Sequence, residues 1–143
     1  MSTEENKRIL RRFFTEIFEQ GNLAAIDEIF STDWVNIDPS LHPLKGRDGA
    51  LQLVTIFRTA FLDLKGGLED MIAEGNRVAG RFSFTGTHKG ELMGIKPTGK
   101  HVTLTGTGFF QIENGKILKN QVNFDPLGML QQLGVVPQLG TTK

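Results

Sequence analysis

Asp125 is the acidic residue with the most suggestive setting. In Asn123-Phe-Asp-Pro-Leu-Gly-Met-Leu-Gln-Gln-Leu-Gly134 it stands where a polar–apolar alternation ends and an apolar helical pattern begins. A carboxylate at that junction has two jobs open to it. Followed by proline, it can cap the helix, accepting backbone N–H groups. Turned into an apolar cavity, it can act as a general base, because burial raises a carboxylate toward working pH. The residues alone leave both readings open. If Asp125 faces a cavity, strand alternation places Ile117, Lys119, Gln121 and Asn123 on its face. Gln121 or Asn123 could then hold a carbonyl oxygen and Lys119 could supply a charge, whereas Leu118, Val122 and Phe124 would form a core or a dimer seam. The same polar row would also suit a solvent-exposed edge.

Other candidates are more isolated. His88, at the end of a predicted strand, could serve as an acid or donor, or be a histidine satisfied at a strand end. Asp38, before a proline, is a second carboxylate for the cavity mouth or a turn residue. His42 and His101 fall beside predicted turns, and three histidines without local spacing do not make a zinc site. Gly94-Ile-Lys-Pro-Thr-Gly-Lys-His101 approaches a phosphate-binding loop, but histidine stands where Ser or Thr should meet magnesium and no helix follows. It reads as a loop between strands.

The chain has no cysteine, so disulfides, thiolate metal sites and a cysteine nucleophile are excluded. Eleven Phe, one Trp and no Tyr remove any tyrosine acid and supply an apolar aromatic set. Sixteen basic and sixteen acidic residues cancel, which leaves no field to steer the chain onto nucleic acid and favours self-association. The charged N-terminus has no apolar run after it, and no stretch approaches a membrane span; a cytoplasmic protein is expected.

The elements that must position these residues follow from periodicity. Residues 3–20 carry Ile9, Leu10, Phe13, Phe14, Ile17 and Phe18 at helical spacing, and Gly21-Asn22 ends the run. Residues 23–30 repeat the pattern briefly, 34–38 read as extended, and Pro39, Pro43 and Gly46 mark a loop. A third helix is expected at about 47–62. Strands are expected at 68–73, 78–88, 101–112 and 117–124, with turns at Glu74-Gly-Asn-Arg77 and at the Asn-Gly of Glu113-Asn-Gly-Lys116. On the second of these strands Val78, Gly80, Phe82, Phe84, Gly86 and His88 share one face. Helices followed by a strand meander make one α+β domain over 1–143, helices covering one face of a curled sheet.

Three motifs carry a resemblance to a known family: Gly86-Thr-His-Lys-Gly-Glu-Leu-Met-Gly-Ile-Lys-Pro-Thr-Gly-Lys100, Gly115-Lys-Ile117, and Asp125-Pro-Leu-Gly-Met-Leu-Gln-Gln-Leu-Gly134. Weaker echoes are Gly46-Arg-Asp-Gly49 and Phe61-Leu-Asp-Leu64. With the order of elements, they resemble the SnoaL-like polyketide cyclases, or ester cyclases, of the nuclear transport factor 2-like fold. The resemblance implies a cone-shaped α+β barrel opening onto an apolar pocket, and pairing through the outer sheet face into a homodimer or a dimer of dimers. It implies an intramolecular aldol ring closure on a hydrophobic carbonyl compound, with Asp125 as base and no metal or cofactor. The sequence departs from the family pattern at Lys119, where an acidic residue is usual, at Gln121, where tryptophan is usual, and near Ile37, where histidine is frequent. The departures at Lys119 and Gln121 favour a second reading, a binding module for a small hydrophobic molecule; a third, a dimerising scaffold, would show no connected pocket.

Overall fold

A computed structural model describes residues 2–138. The first helix, α1 (Thr3–Arg12), is capped by Ser2, whose hydroxyl accepts from the Glu5 N–H at 3.1 Å. It continues as a π-wound stretch, Phe13–Glu19, whose wider turn changes which side chains meet. In an α-helix, residues five apart point about 140° away from each other. Here Phe13 and Phe18 touch, with ring centroids 5.4 Å apart. The end of this stretch is held by Arg58, which donates to the Phe18 and Glu19 carbonyls at 2.7 Å each. A short turn, Leu23–Ala25, and one helical turn, α2 (Ile26–Ile29), replace the second predicted helix.

The sheet has six strands: β1 (Phe30–Ile37), β2 (Leu44–Lys45), β3 (Lys65–Glu74), β4 (Arg77–Thr87), β5 (His101–Glu113) and β6 (Lys116–Phe124), in the order β2-β1-β6-β5-β4-β3. The β1–β6 pair is parallel and every other pair antiparallel. The sheet curls around α1 and α3 (Gly46–Ala60) and stays open, with β2 and β3 as its edges. The four-strand meander is thus extended by β1, which contains most of the extended segment expected at 34–38, and by β2, which short-range pattern did not reveal.

Glycines allow the curl. Gly80 and Gly108 are paired, as are Phe82 and Gly106, all on the concave face. A Cβ on Gly106 would overlap the Phe82 ring, and one on Gly108 would lie 2.8 Å from Val122 Cγ2. Two bulges shift side-chain parity: Glu69 is an extra residue in β3 against β4, and Leu118 an extra residue in β6 against β5.

Beyond Phe124 the strand gives way to α4 (Pro126–Gln132), which continues to cover β5. The Asp125 N–H donates to the Thr105 carbonyl, and the Gln132 side-chain amide bonds both the N–H and the C=O of Thr103 at 2.7 and 2.8 Å. A side chain thereby stands in for the next peptide of a strand. Met129 and Leu133 bury their side chains beneath it. Among the described residues, no helix is long and apolar enough to cross a membrane.

Candidate functional site

The concave face and the helices enclose a cavity of about 70 Å³, measured as the space open to the centre of a water molecule. The π-wound stretch contributes Phe13, Phe14 and Phe18, and α3 contributes Leu53 and Phe57. From the sheet come Phe82, Phe84, Leu104, Phe110, Val122 and Phe124. The rings support one another: Phe14 lies 5.2 Å from Phe82 and 5.9 Å from Phe84, and Phe57 meets Phe124 edge-on at 5.8 Å. Such offset and edge-on pairs favour fixed positions beyond simple burial.

Three polar side chains interrupt this wall, and one parallel strand pair places them together. Trp34, Asn36 and Asp38 follow the two-residue period of β1 and its end, so all three turn inward and are buried. On β6, Asn120 is the register partner of Asn36 and is 1% exposed. The Trp34 indole N–H donates to Asn120 Oδ1 at 3.2 Å. Indole can only donate, so this bond fixes the Asn120 amide with its NH2 group left for the cavity. Asp38 Oδ1 accepts from the Ser40 N–H at 2.9 Å and the Ser40 hydroxyl at 2.6 Å. Its Oδ2 makes no hydrogen bond among the described residues, nor does the Asn36 side chain. One carboxylate oxygen and two amides therefore meet an otherwise apolar space with hydrogen-bonding capacity to spare.

Asp125 occupies the other position open to it. Its carboxylate caps α4, accepting the Gly128 N–H at 2.9 Å, and the residue is exposed and does not line the cavity. A Cβ at position 128 would collide with that carboxylate, so glycine permits the close cap.

The polar row expected to share the cavity with Asp125 also lies elsewhere. Lys119, Gln121 and Asn123 line a groove on the convex face with Asp70, Arg77 and Arg81. The bulge at Leu118 is the physical reason that extrapolation from Ile117 fails. Ile117 and Asn120 are both buried, three residues apart, and Asn120, Val122 and Phe124 then continue the inner row. The departures from the family pattern at Lys119 and Gln121 thus fall outside the cavity, as does Ile37, which is 42% exposed.

His88 is fully buried but also lies outside the cavity. Its Nδ1 accepts the Thr98 N–H at 3.2 Å, its ring packs 5.8 Å from Phe61, and Nε2 has no partner among the described residues. It latches the 89–100 loop, whose Lys89 and Gly90 N–H groups both donate to the Ala60 carbonyl. His42 and His101 are exposed. Of the sequence candidates only Asp38 lines the cavity. Asn36 and Asn120 were missed, although the parity of Trp34-Val-Asn-Ile-Asp38 already aligns Asn36 with Asp38 and Trp34. Among the described residues, no three His, Asp or Glu side chains are grouped to hold a metal ion.

The titration of several surface carboxylates is set by partners distant from the cavity. Hydrogen bonds from Arg12 hold Glu16 and Glu28 below the ordinary glutamate value. The Thr87 N–H and hydroxyl hold Asp63 below the ordinary aspartate value.

An open, curled, mostly antiparallel sheet closed over by N-terminal helices around an aromatic cavity is the nuclear transport factor 2-like fold. The family model of the SnoaL-like polyketide cyclases matches residues 8–133, and the chain belongs to that family. Similar solved structures include a proposed SnoaL-like polyketide cyclase from Jannaschia, at 20% identity and TM-score 0.85, covering 94% of this chain and 95% of that one. A proposed polyketide cyclase from Acidithiobacillus ferrooxidans is 27% identical with TM-score 0.81, over 94% and 99% of the two chains. AclR from Streptomyces galilaeus, a proposed hydroxylase, is 27% identical with TM-score 0.82, over 98% and 87%. No protein of curated function matches the sequence significantly.

Proposed function

We propose that the protein is a cofactor-free cyclase or isomerase that closes a ring on a hydrophobic carbonyl compound, and that Asp38, rather than Asp125, is its base. The observation carrying this reading is that Asp38, Asn36 and Asn120, all buried, line the same phenylalanine-walled cavity. Asp38 Oδ2 removes a proton from a carbon next to a carbonyl. The enolate carbon attacks a second carbonyl of the same molecule, one carbon–carbon bond forms, and the carbonyl π pair becomes an alkoxide. The Asn120 and Asn36 amides donate to the oxygens that gain charge, and the proton held by Asp38 returns to the alkoxide. Atoms balance, and the product is an isomer of the substrate. The aromatic wall folds the chain and keeps water from the enolate.

Turnover of Asp38→Asn and Asp125→Asn tests the assignment. With Asp38 as base, the first variant loses roughly 100- to 10,000-fold in kcat and the second keeps its rate. The opposite pattern would return the role to Asp125. A second reading, a binding module for a small hydrophobic molecule, draws support from Ser40, which already engages Oδ1 twice. Under that reading both variants leave ligand binding in place and neither the native protein nor either variant turns substrate over.

The convex face is the proposed seam of a homodimer. Ile72 and Phe109 stand 72% and 57% exposed there, among Asp70, Arg77, Arg81 and Lys119. Both charge signs on one patch suit a two-fold pairing, in which each copy meets the same surface of the other.

A further inference from the structure

We infer that Arg58 is a positioning residue for the cavity wall: it holds Phe13–Glu19 in its π winding, and the placing of the Phe18 ring depends on that winding. Its bearing on turnover rests on the cavity being the reaction site proposed above. An α-helix that ends in a left-handed glycine commonly closes with two bonds. One runs from that glycine N–H to the carbonyl three residues back, the other from the following N–H to the carbonyl five back. Gly21 is such a glycine, at φ 74°. Its N–H nevertheless goes four back, to Ile17 at 3.0 Å, and the Asn22 N–H goes six back, to Glu16 at 2.8 Å. Each bond lands one residue further back than an α ending would place it, as the wider π turn requires. The Phe18 carbonyl, which the Gly21 N–H would take in an α ending, is left over.

Arg58 fills that place. Its Nη1 donates to the Phe18 and Glu19 carbonyls at 2.7 Å each. The residue is half-buried, and among the described residues no carboxylate pairs with it. What it meets instead is the negative end of the helix. The chain closes over the guanidinium: a Cβ on Gly21 would sit 2.8 Å from its Nε, Cζ and Nη2. Glu19 adds a second tie, accepting the Gly66 N–H of β3 at 2.8 Å. Arg58 and the Gly21 N–H thus compete for one carbonyl, and the winding follows from which of them holds it. The wall follows from the winding. Phe18 now lies 5.4 Å from Phe13, 5.3 Å from Phe84 and 6.1 Å from Phe57, the residue before Arg58. Rewound as α, Phe13 and Phe18 would point about 140° apart, and one ring of the wall would leave its place against Phe84.

Nuclear magnetic couplings across hydrogen bonds, from amide nitrogen to carbonyl carbon, name each acceptor directly. They are read in the native protein and in Arg58→Met, which keeps an apolar stem and removes every donor. The native Gly21 N–H should couple to the Ile17 carbonyl and the Asn22 N–H to that of Glu16. In Arg58→Met both should move forward one residue, to Phe18 and Ile17, and the Overhauser contact between the Phe13 and Phe18 rings should be lost. Native acceptors retained in Arg58→Met overturn the inference even where the unfolding midpoint has dropped, because a merely structural arginine would lower stability without moving an acceptor. Phe18 and Ile17 as acceptors in the native protein overturn it as well. If Arg58→Met fails to fold, Gly21→Ala, which drives a methyl against the guanidinium and leaves its donors in place, is read in the same way. No substrate is used, so failure of the Asp38 assignment would leave these couplings as they are, and retained acceptors would remove the role of Arg58 without touching that of Asp38.

Discussion

On the concave side of the sheet, Asn120, Val122 and Phe124 of β6 meet phenylalanine rings and two other polar side chains from β1. On the convex side, Lys119, Gln121 and Asn123 of the same strand meet arginines, an aspartate and water. The inner face holds few polar groups, all buried, and neighbours direct two of them, Asn120 and Asp38; the outer face holds many, mostly exposed. A polar residue's meaning in this protein therefore depends on parity more than on type. Asn120, inside, is a directed donor, and Asn123, one strand position from Phe124, is part of a solvated surface.

The contrast is sharpest at two adjacent phenylalanines of β5. Phe110 is fully buried, and Phe110→Ala should cost about 3–5 kcal/mol in denaturant unfolding. The same change should enlarge the cavity. Loss of under about 1 kcal/mol would mean the aromatic cluster is looser than its ring contacts imply. Next in size, Trp34→Phe removes the only donor to Asn120 Oδ1 among the described residues, and should destabilise by about 1–3 kcal/mol. If catalysis uses the directed amide, kcat should fall by more than that loss of folding alone explains. Asp125→Ala removes a helix cap and should cost about 1 kcal/mol, with the rate intact. Phe109→Ala, on the outer face, should leave monomer stability within about 0.5 kcal/mol. Its effect should appear in the sedimentation coefficient, as a shift toward monomer if the convex face is the seam.

The smallest effect concerns pH. Glu16 and Asp63 have folded values lowered from the ordinary 4.5 and 3.8. For groups shifted this way, the stabilisation is fully present above the ordinary value and disappears as pH falls through the lower, folded value. The unfolding midpoint should thus hold level from neutral pH to about pH 5 and decline below it. Replacing Asp63 with Asn should flatten part of that decline without altering ligand affinity, because Asp63 does not line the cavity.

Much of this was legible in the residues. Phe13, Phe14 and Phe18 announced a helix with a buried face, the Asn114-Gly115 turn joined β5 to β6, and the alternation from Val78 to His88 marked β4. Asp125-Pro126 carried a cap signal, and the cap is what forms. The parallel pairing of β1 with β6 was not legible. Asn36 and Asn120 are register partners across more than eighty residues, and neither end carries a local mark of the other. Phe30 fitted the preceding helical spacing as well as it fits the start of β1. The extra residue at Leu118 broke the alternation from Ile117, which put the wrong row of β6 into the cavity.

The open edge of the sheet has a consequence for solubility. A long free strand invites other chains to add to it, and β3 is such a strand. Its bulge falls at Glu69, and Lys65, Glu69, Asp70 and Glu74 set charges along its length, with Arg81 bonded to Glu69 at 3.3 Å. A neighbouring chain trying to align there would meet interrupted spacing and must strip water from those charges. The irregularity that spoils a regular ladder also guards this edge against runaway strand addition, so Glu69 deletion should register first as aggregation on concentration, ahead of any change at the cavity.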